Sequence, residues 1–156
     1  MSTIRDVLDR KGDSVLTIEG QTSVFDAIRS ISNANVGAVV IQDGEQPSGI
    51  FTERDYLRKI TLEGRSSRET AVAEVMSSPL FTVEPTDNTR SAMETMTEKR
   101  CRHLVVVDNG KMVGIVSLGD LVKHLLLQKE EEAVSYTHLR AHETKEEISY
   151  AVFCLK

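Results

Sequence analysis

Gly114-Ile115-Val116-Ser117-Leu118-Gly119-Asp120 has an earlier counterpart in the same chain, Gly49-Ile50-Phe51-Thr52-Glu53-Arg54-Asp55. Both read as glycine, isoleucine, an apolar residue, a hydroxyl residue, two variable positions and an aspartate. An amphipathic run follows each at once, Leu121-Val122-Lys123-His124-Leu125 and Tyr56-Leu57-Arg58-Lys59-Ile60. The two aspartates stand 65 positions apart, and so do the two hydroxyls. A fixed period of that length marks an internal structural repeat.

Working outward, residues 15–18 form a short β-branched run and predict a strand. Ser23 opens a helix, with Asp26 three residues on and Val24, Ala27, Ile28 and Ile31 on one face. Gly37-Ala38-Val39-Val40-Ile41 is a nearly continuous apolar strand, as expected where both faces are covered. Asp43-Gly44 starts a turn into a return strand over 49–51, and Thr52 opens a closing helix expected to reach about residue 62. The second copy retraces this order through residues 81–84, then Ala92, Met93 and Met96, then 103–107, the turn Asp108-Asn109-Gly110, and 112–116. Its middle strand is aligned at an offset of 66, Gly37 with His103, which implies one residue added before that strand and one lost in the hairpin. Each unit reads β-α-β-β-α. Residues 1–14 are expected to hold a short helix (Ile4, Val7, Leu8, stopped by Gly12) and a lead-in; 15–63 the first unit; 64–79 a linker with a short helix over 71–76; and 80–133 the second unit. Units of about 60 residues are too small to bury a full core alone, so the two should pack together.

Composition narrows the function. The 156 residues are 40% hydrophobic and 28% charged with no tryptophan, an ordinary soluble composition with an aliphatic core. A net charge of −5 argues against a general nucleic-acid binder. No apolar run is long enough to span a membrane, and the first residues lack a secretory signal. Cys101 and Cys154 form no spaced framework, which fits a reducing compartment, and the cytoplasm is the expected location. Cys101 itself reads as a small half-buried residue without a marked nucleophilic setting. Lys123 and Arg58 read as solvated helix positions.

Residues 134–144, VSYTHLRAHET, resemble a translated transposase-type sequencing adapter, and 148–156, ISYAVFCLK, the flow-cell end of such a library, with Lys145-Glu146-Glu147 as the barcode between. The expectation is that the natural chain diverges at Val134; sequencing the locus from source DNA and finding the same codons would overturn it. This removes the metal-like spacing of His138 and His142 from consideration. It leaves the net charge unaltered, because the segment holds three basic and three acidic residues.

A Ser/Thr-x-x-Asp at a strand-to-helix junction is first of all a capping box. The same geometry fixes a carboxylate where it can accept both hydroxyls of a ribose, beside backbone N–H groups that favour anions. Two such junctions, each after Gly-Ile-apolar, point to a paired surface. With Val75-Met76 before Pro79 and the run Arg100-Cys101-Arg102-His103-Leu104-Val105-Val106-Val107-Asp108, residues 1–133 resemble a tandem pair of cystathionine-β-synthase-type (CBS) domains, a Bateman module. The resemblance implies an α/β (α+β) fold of two β-α-β-β-α repeats packed with pseudo-twofold symmetry. It also implies two clefts that bind adenine nucleotides such as AMP, ATP or NAD(H), a homodimer, and a regulated protein partner.

Carried onto this chain, Asp55 and Asp120 would hold one ribose each, assisted by Thr52 and Ser117. Adenine would lie near Thr17, Ile18, Val36, Gly37 and Ala38 in one cleft, with Thr82, Val83, Arg102 and His103 as counterparts in the other. Arg102, His103 and Arg54 are the expected phosphate contacts, so the cleft combining Arg102, His103, Thr52 and Asp55 should be the tighter. Two alternatives stand beside this: a structural or interaction module without ligand, and a regulatory fragment associated with an enzyme such as a nucleotide dehydrogenase. No phosphate loop, dinucleotide fingerprint, nucleophile elbow or metal cluster occurs in residues 1–133, so the chain is not expected to be an enzyme and no metal is expected.

Overall fold

In the computed structural model, which describes residues 2–136, the chain begins with α1 (Ile4–Lys11). Thr3 caps it: the Asp6 N–H donates to the Thr3 hydroxyl at 3.3 Å and the Thr3 N–H donates to the Asp6 carboxylate at 3.0 Å. Gly12 stops it at φ 95°, a conformation open to glycine. Next come β1 (Thr17–Ile18), the Ser23-capped α2 (Val24–Ala34), β2 (Ala38–Asp43) and β3 (Gln46–Thr52). α3 (Glu53–Asp55) then runs on as a π-helical segment, Tyr56–Thr61. After the 3₁₀ turn Val72–Glu74, the order repeats as β4 (Thr82–Val83), α4 (Thr89–Lys99), β5 (His103–Asp108), β6 (Lys111–Ser117) and α5 (Leu118–Tyr136). His138, His142, Cys154 and all but the start of the adapter-like segment lie outside the described residues.

Two three-stranded sheets result, ordered β1-β2-β3 and β4-β5-β6. In each, the first two strands are parallel and need the helical crossover that α2 or α4 supplies, while the last two form an antiparallel hairpin. The fold is therefore the mixed α/β architecture expected, built twice. The registers correct one detail. Ala38 pairs with Thr52 and His103 with Ser117, and the strand irregularity falls at Ile41/Gln42 in one hairpin and Val106/Val107 in the other. The offset is thus 65 through the middle strand as well, without insertion or loss; Arg102 corresponds to Gly37, and His103 to Ala38. Backbone contacts agree: the Glu53 N–H donates to the Gly37 carbonyl and the Leu118 N–H to that of Arg102.

The two cores show how the repeats depend on each other. Val24, Ala27, Ile31, Val39, Ile41, Phe51 and Ile60 are completed by Val72 and Val75. Val83, Ala92, Met96, Leu104, Val106, Val116 and Leu121 are completed by Ile4, Val7 and Leu8 of α1. The helix that precedes the first repeat therefore belongs to the core of the second, and the turn that precedes the second belongs to the core of the first. Each such aliphatic contributes about 1.5–3 kcal/mol on full burial. The two segments are themselves equivalent. Ser2-Thr3-Ile4-Arg5-Asp6-Val7-Leu8 matches Thr70-Ala71-Val72-Ala73-Glu74-Val75-Met76, with Ser2 and Thr70 both buried. Thr89 N–H donates to Ser2 O as Val24 N–H donates to Thr70 O.

This exchange explains the glycine that opens each motif. A Cβ on Gly114 would stand 2.8 Å from Leu8 Cδ2, and one on Gly49 would stand 2.5 Å from Met76 Sδ and 3.0 Å from the Ser77 carbonyl. Both glycines admit a segment that crosses tightly over the return strand. The same segment lies along α5, where Leu121 and His124 are buried.

Candidate functional site

β3 ends at Thr52, which becomes the N-cap of α3. The Asp55 N–H donates to Thr52 Oγ1 at 3.1 Å, and the Thr52 N–H donates to Asp55 Oδ2 at 3.0 Å. Ser117 and Asp120 repeat the arrangement at 3.0 and 2.9 Å. The capping reading is therefore realised in both copies. What the caps leave available differs. Asp55 is buried, and its Oδ1 accepts from the Ser77 hydroxyl at 2.9 Å with Lys59 Nζ 3.4 Å away. Asp120 instead receives the Lys11 ammonium on Oδ2 at 2.6 Å. Burial pushes the Asp120 carboxyl up, but Lys11 and the Ser117 N–H outweigh it and hold it below the ordinary carboxylate value.

A cleft of about 440 Å³ opens beside Asp55, between the repeats. The first repeat contributes Gly37, Thr52, Arg54, Asp55 and Arg58; the second contributes Arg100, Arg102 and His103; Ser77, Pro79 and Phe81 complete the lining between them in sequence. Six of the sequence-expected residues thus meet in one place: Gly37, Thr52, Arg54, Asp55, Arg102 and His103. The others do not line this cleft. Thr17 and Thr82 are exposed on their short strands, Val83 and Ala38 are buried, Ile18 packs on the first core and Val36 is exposed. Ser117 and Asp120 sit on the Lys11 side. Arg58 is exposed, in line with its reading as a solvated position, and also borders the cleft. Arg100 enters the sequence reading only within the run 100–108 and Ser77 not at all; for Arg100 the basic cluster Lys99-Arg100-Cys101-Arg102 at a helix end is the available signal.

The electrostatics of this cleft run against the net charge of the chain. Arg54, Arg58, Arg100 and Arg102 all border it, and none forms an ion pair with an acidic group among the described residues. Planar guanidiniums without carboxylate partners suit bidentate contact with phosphate. Arg100 is also held at φ 55°, in the left-handed region, where its counterpart Asn35 is at φ 56°. Asparagine tolerates that region, whereas a long side chain there costs roughly 1–2 kcal/mol. His103 lies within reach of the fields of both Asp120 and Asp55; burial lowers its pKa, Asp120 opposes this, and Lys11 and Arg102 add to the lowering. The Cys101 thiol is pushed up by burial, so it is not a reactive thiolate.

Fold and cleft together define a tandem-repeat α/β module with an arginine-lined cleft between its repeats. The CBS domain model matches residues 3–62 and 72–127. The chain is 43% identical over 140 residues to the Arabidopsis thaliana CBS domain-containing protein CBSX3, mitochondrial, covering 84% of this chain and 68% of that one. A CBS-domain protein of Burkholderia ambifaria superposes with a TM-score of 0.80 at 40% identity, covering 82% of this chain and 96% of the other. The CBS domain protein PAE2072 of Pyrobaculum aerophilum, solved in complex with AMP, superposes with a TM-score of 0.67 at 25% identity, over 76% and 88% of the two chains. The chain belongs to the CBS domain family. Among the described residues, no helix is long and apolar enough to cross a membrane.

Proposed function

We propose that the cleft at Asp55 binds an adenine nucleotide and that the chain acts as a regulatory module rather than an enzyme. One observation carries the reading: four arginines that form no ion pair among the described residues line one cleft with a buried carboxylate held at a helix start. Asp55 and Thr52 would take the ribose, and Arg54, Arg58, Arg100 and Arg102 the phosphates, with His103 beside them. The four arginines, with Lys59 and Lys99 also in the lining, favour a longer phosphate chain, so ATP is expected to bind more tightly than AMP, with NAD(H) as the third candidate. The AMP complex of the Pyrobaculum relative supports the ligand class. A homodimer is part of the reading, motivated by Leu57 and Leu62, which are 57% and 80% exposed. A reducing compartment and a separate protein partner complete it.

Thermal-shift titration with ATP and AMP tests the reading, since a ligand that binds only the folded state raises the melting temperature. Wild-type protein should respond to ATP at lower concentration than to AMP. Arg100→Ala/Arg102→Ala should lose most of the ATP advantage, because each charged hydrogen bond is worth about 1.5–3 kcal/mol. No response to any adenine nucleotide would favour the interaction-module alternative.

A further inference from the structure

Lys11, the last residue of α1, reaches across to the second motif. Its ammonium donates to Asp120 Oδ2 at 2.6 Å and to the Ile115 carbonyl at 2.8 Å. The Lys11 and Asp120 side chains are only 29% and 26% exposed, so the pair is about three-quarters covered. In the register that matches Leu8 with Met76, Lys11 corresponds to Pro79, an uncharged residue at the end of the Asp55 cleft. The repeats therefore treat their aspartates differently. Asp55 is steadied by the Ser77 hydroxyl, and Lys59, from the same helical run, donates at 2.9 Å to the Val75 carbonyl as well as lying near the carboxylate. The residue 65 positions after Lys59 is His124, which is buried in the α1–α5 seam, and among the described residues the cation paired with Asp120 is Lys11 of α1.

We infer that Lys11 is a built-in competitor at Asp120, which makes the second site the weaker and fills the chain first at Asp55. A ribose diol recognised by Asp120 must donate to a carboxylate whose Oδ2 already accepts from the Lys11 ammonium and the Ser117 N–H. Displacement strips Lys11 of two acceptors at once. α1 cannot move aside to help, because Ile4, Val7 and Leu8 are fixed in the core; only the lysine side chain can swing. His103 gives the two sites a physical link, since it borders the Asp55 cleft and lies in the field of both Lys11 and Asp120. The ligand class assumed for Asp120 rests on the nucleotide reading of the Asp55 cleft.

The test is calorimetric titration of ATP into wild-type protein, Lys11→Met, Lys11→Arg, and Asp55→Ala with and without Lys11→Met. In Lys11→Met the weaker dissociation constant should fall about tenfold, as expected for loss of a part-buried competing charge worth about 1.4 kcal/mol. Lys11→Arg should behave as wild type. Asp55→Ala/Lys11→Met should retain one site, which shows that the freed site is the one at Asp120. Binding to Lys11→Met but not to wild type would support the competitor and defeat the Asp55 reading, so the two failures are distinguishable. Weaker second-site binding in Lys11→Met would make Lys11 a ligand contact and overturn the inference, as would two equal sites in wild type or no binding to any variant. NMR gives a reading without ligand: in Lys11→Met the Asp120 carboxyl and the His103 imidazole should both titrate at higher pH, and unmoved titrations would also overturn it.

Discussion

Replacing Gly49 and Gly114 by alanine separates two kinds of crowding that the repeat places at equivalent positions. Neither glycine sits at positive φ, so the backbone accepts alanine, and restricting the unfolded chain offsets about 0.4–1 kcal/mol of any loss. At Gly114 the new methyl meets the flexible end of one side chain, Leu8 Cδ2 at 2.8 Å and Cδ1 at 3.1 Å. At Gly49 it meets Met76 Sδ at 2.5 Å and also the Ser77 carbonyl at 3.0 Å, which belongs to a backbone bridge. That bridge consists of Ile50 N–H to Ser77 O at 3.0 Å and Ser77 N–H to Ile50 O at 2.8 Å. Overpacking costs about 1–3 kcal/mol, and a strained bridge adds about 1 kcal/mol per hydrogen bond. The net expectation is about 1 kcal/mol lost in Gly114→Ala and about 2–3 kcal/mol in Gly49→Ala. At roughly 2–4 °C per kcal/mol for a chain of this size, melting temperatures should fall by about 3 °C and 6–9 °C. Because Ser77 also holds Asp55, Gly49→Ala should weaken ATP binding, whereas Gly114→Ala should leave it nearly unaltered. Thermal denaturation of both variants, with Gly114→Ala repeated in a Leu8→Ala background, gives the readout. The added methyl should cost almost nothing once Leu8 is shortened. Two neutral substitutions, or a larger loss at Gly114, would refute the crossing-segment account.

His124 lies buried between α1 and α5, near Arg10, Asp6 and Glu131, and its Nδ1 has no hydrogen-bond partner among the described residues. His124→Leu should therefore stabilise the fold by about 1 kcal/mol at pH 7, measured by urea denaturation, since an unsatisfied buried group costs about 1–3 kcal/mol. His124 and His103 are both held below the ordinary value of 6.5 by burial. Their stabilising contributions are complete above 6.5 and shrink as pH falls through the folded values, so wild type should weaken below 6.5 and His124→Leu should weaken less. Asp120 is lowered below 3.8, so its contribution is present above 3.8 and is lost as pH falls through the lower folded value. Lys11→Met should flatten that acid limb in the same denaturation series.

Much of this molecule could be read from two seven-residue strings. The 65-residue period, the strand order within each unit and the capping boxes follow from Thr52, Asp55, Ser117 and Asp120, because cap chemistry is local. The middle-strand register did not, since Gly37 and His103 each begin an apolar run and invite alignment by appearance. Hydrogen bonding sets Gly37 against Arg102, and that pairing is decided across the sheet. The lead-in repeat escaped notice because its offset is 68 rather than 65, and its match is short. Nothing local in Ile4, Val7 and Leu8 says that they cross to the second core. For the cleft, the aspartate, the hydroxyl and two of the arginines were legible. Arg58 and Arg100 were not, because their role depends on which surfaces the two repeats bring face to face. Val83 and Ala38 were assigned to a ligand but serve the interior, where a short strand spends its apolar residues first.

The most direct test is titration of AMP and ATP into wild type, Asp55→Ala and Asp120→Ala. The arginine-lined cleft predicts that Asp55→Ala loses about tenfold or more in affinity for the tighter site, while Asp120→Ala loses little there. Equal losses from the two substitutions, or none from either, would contradict it.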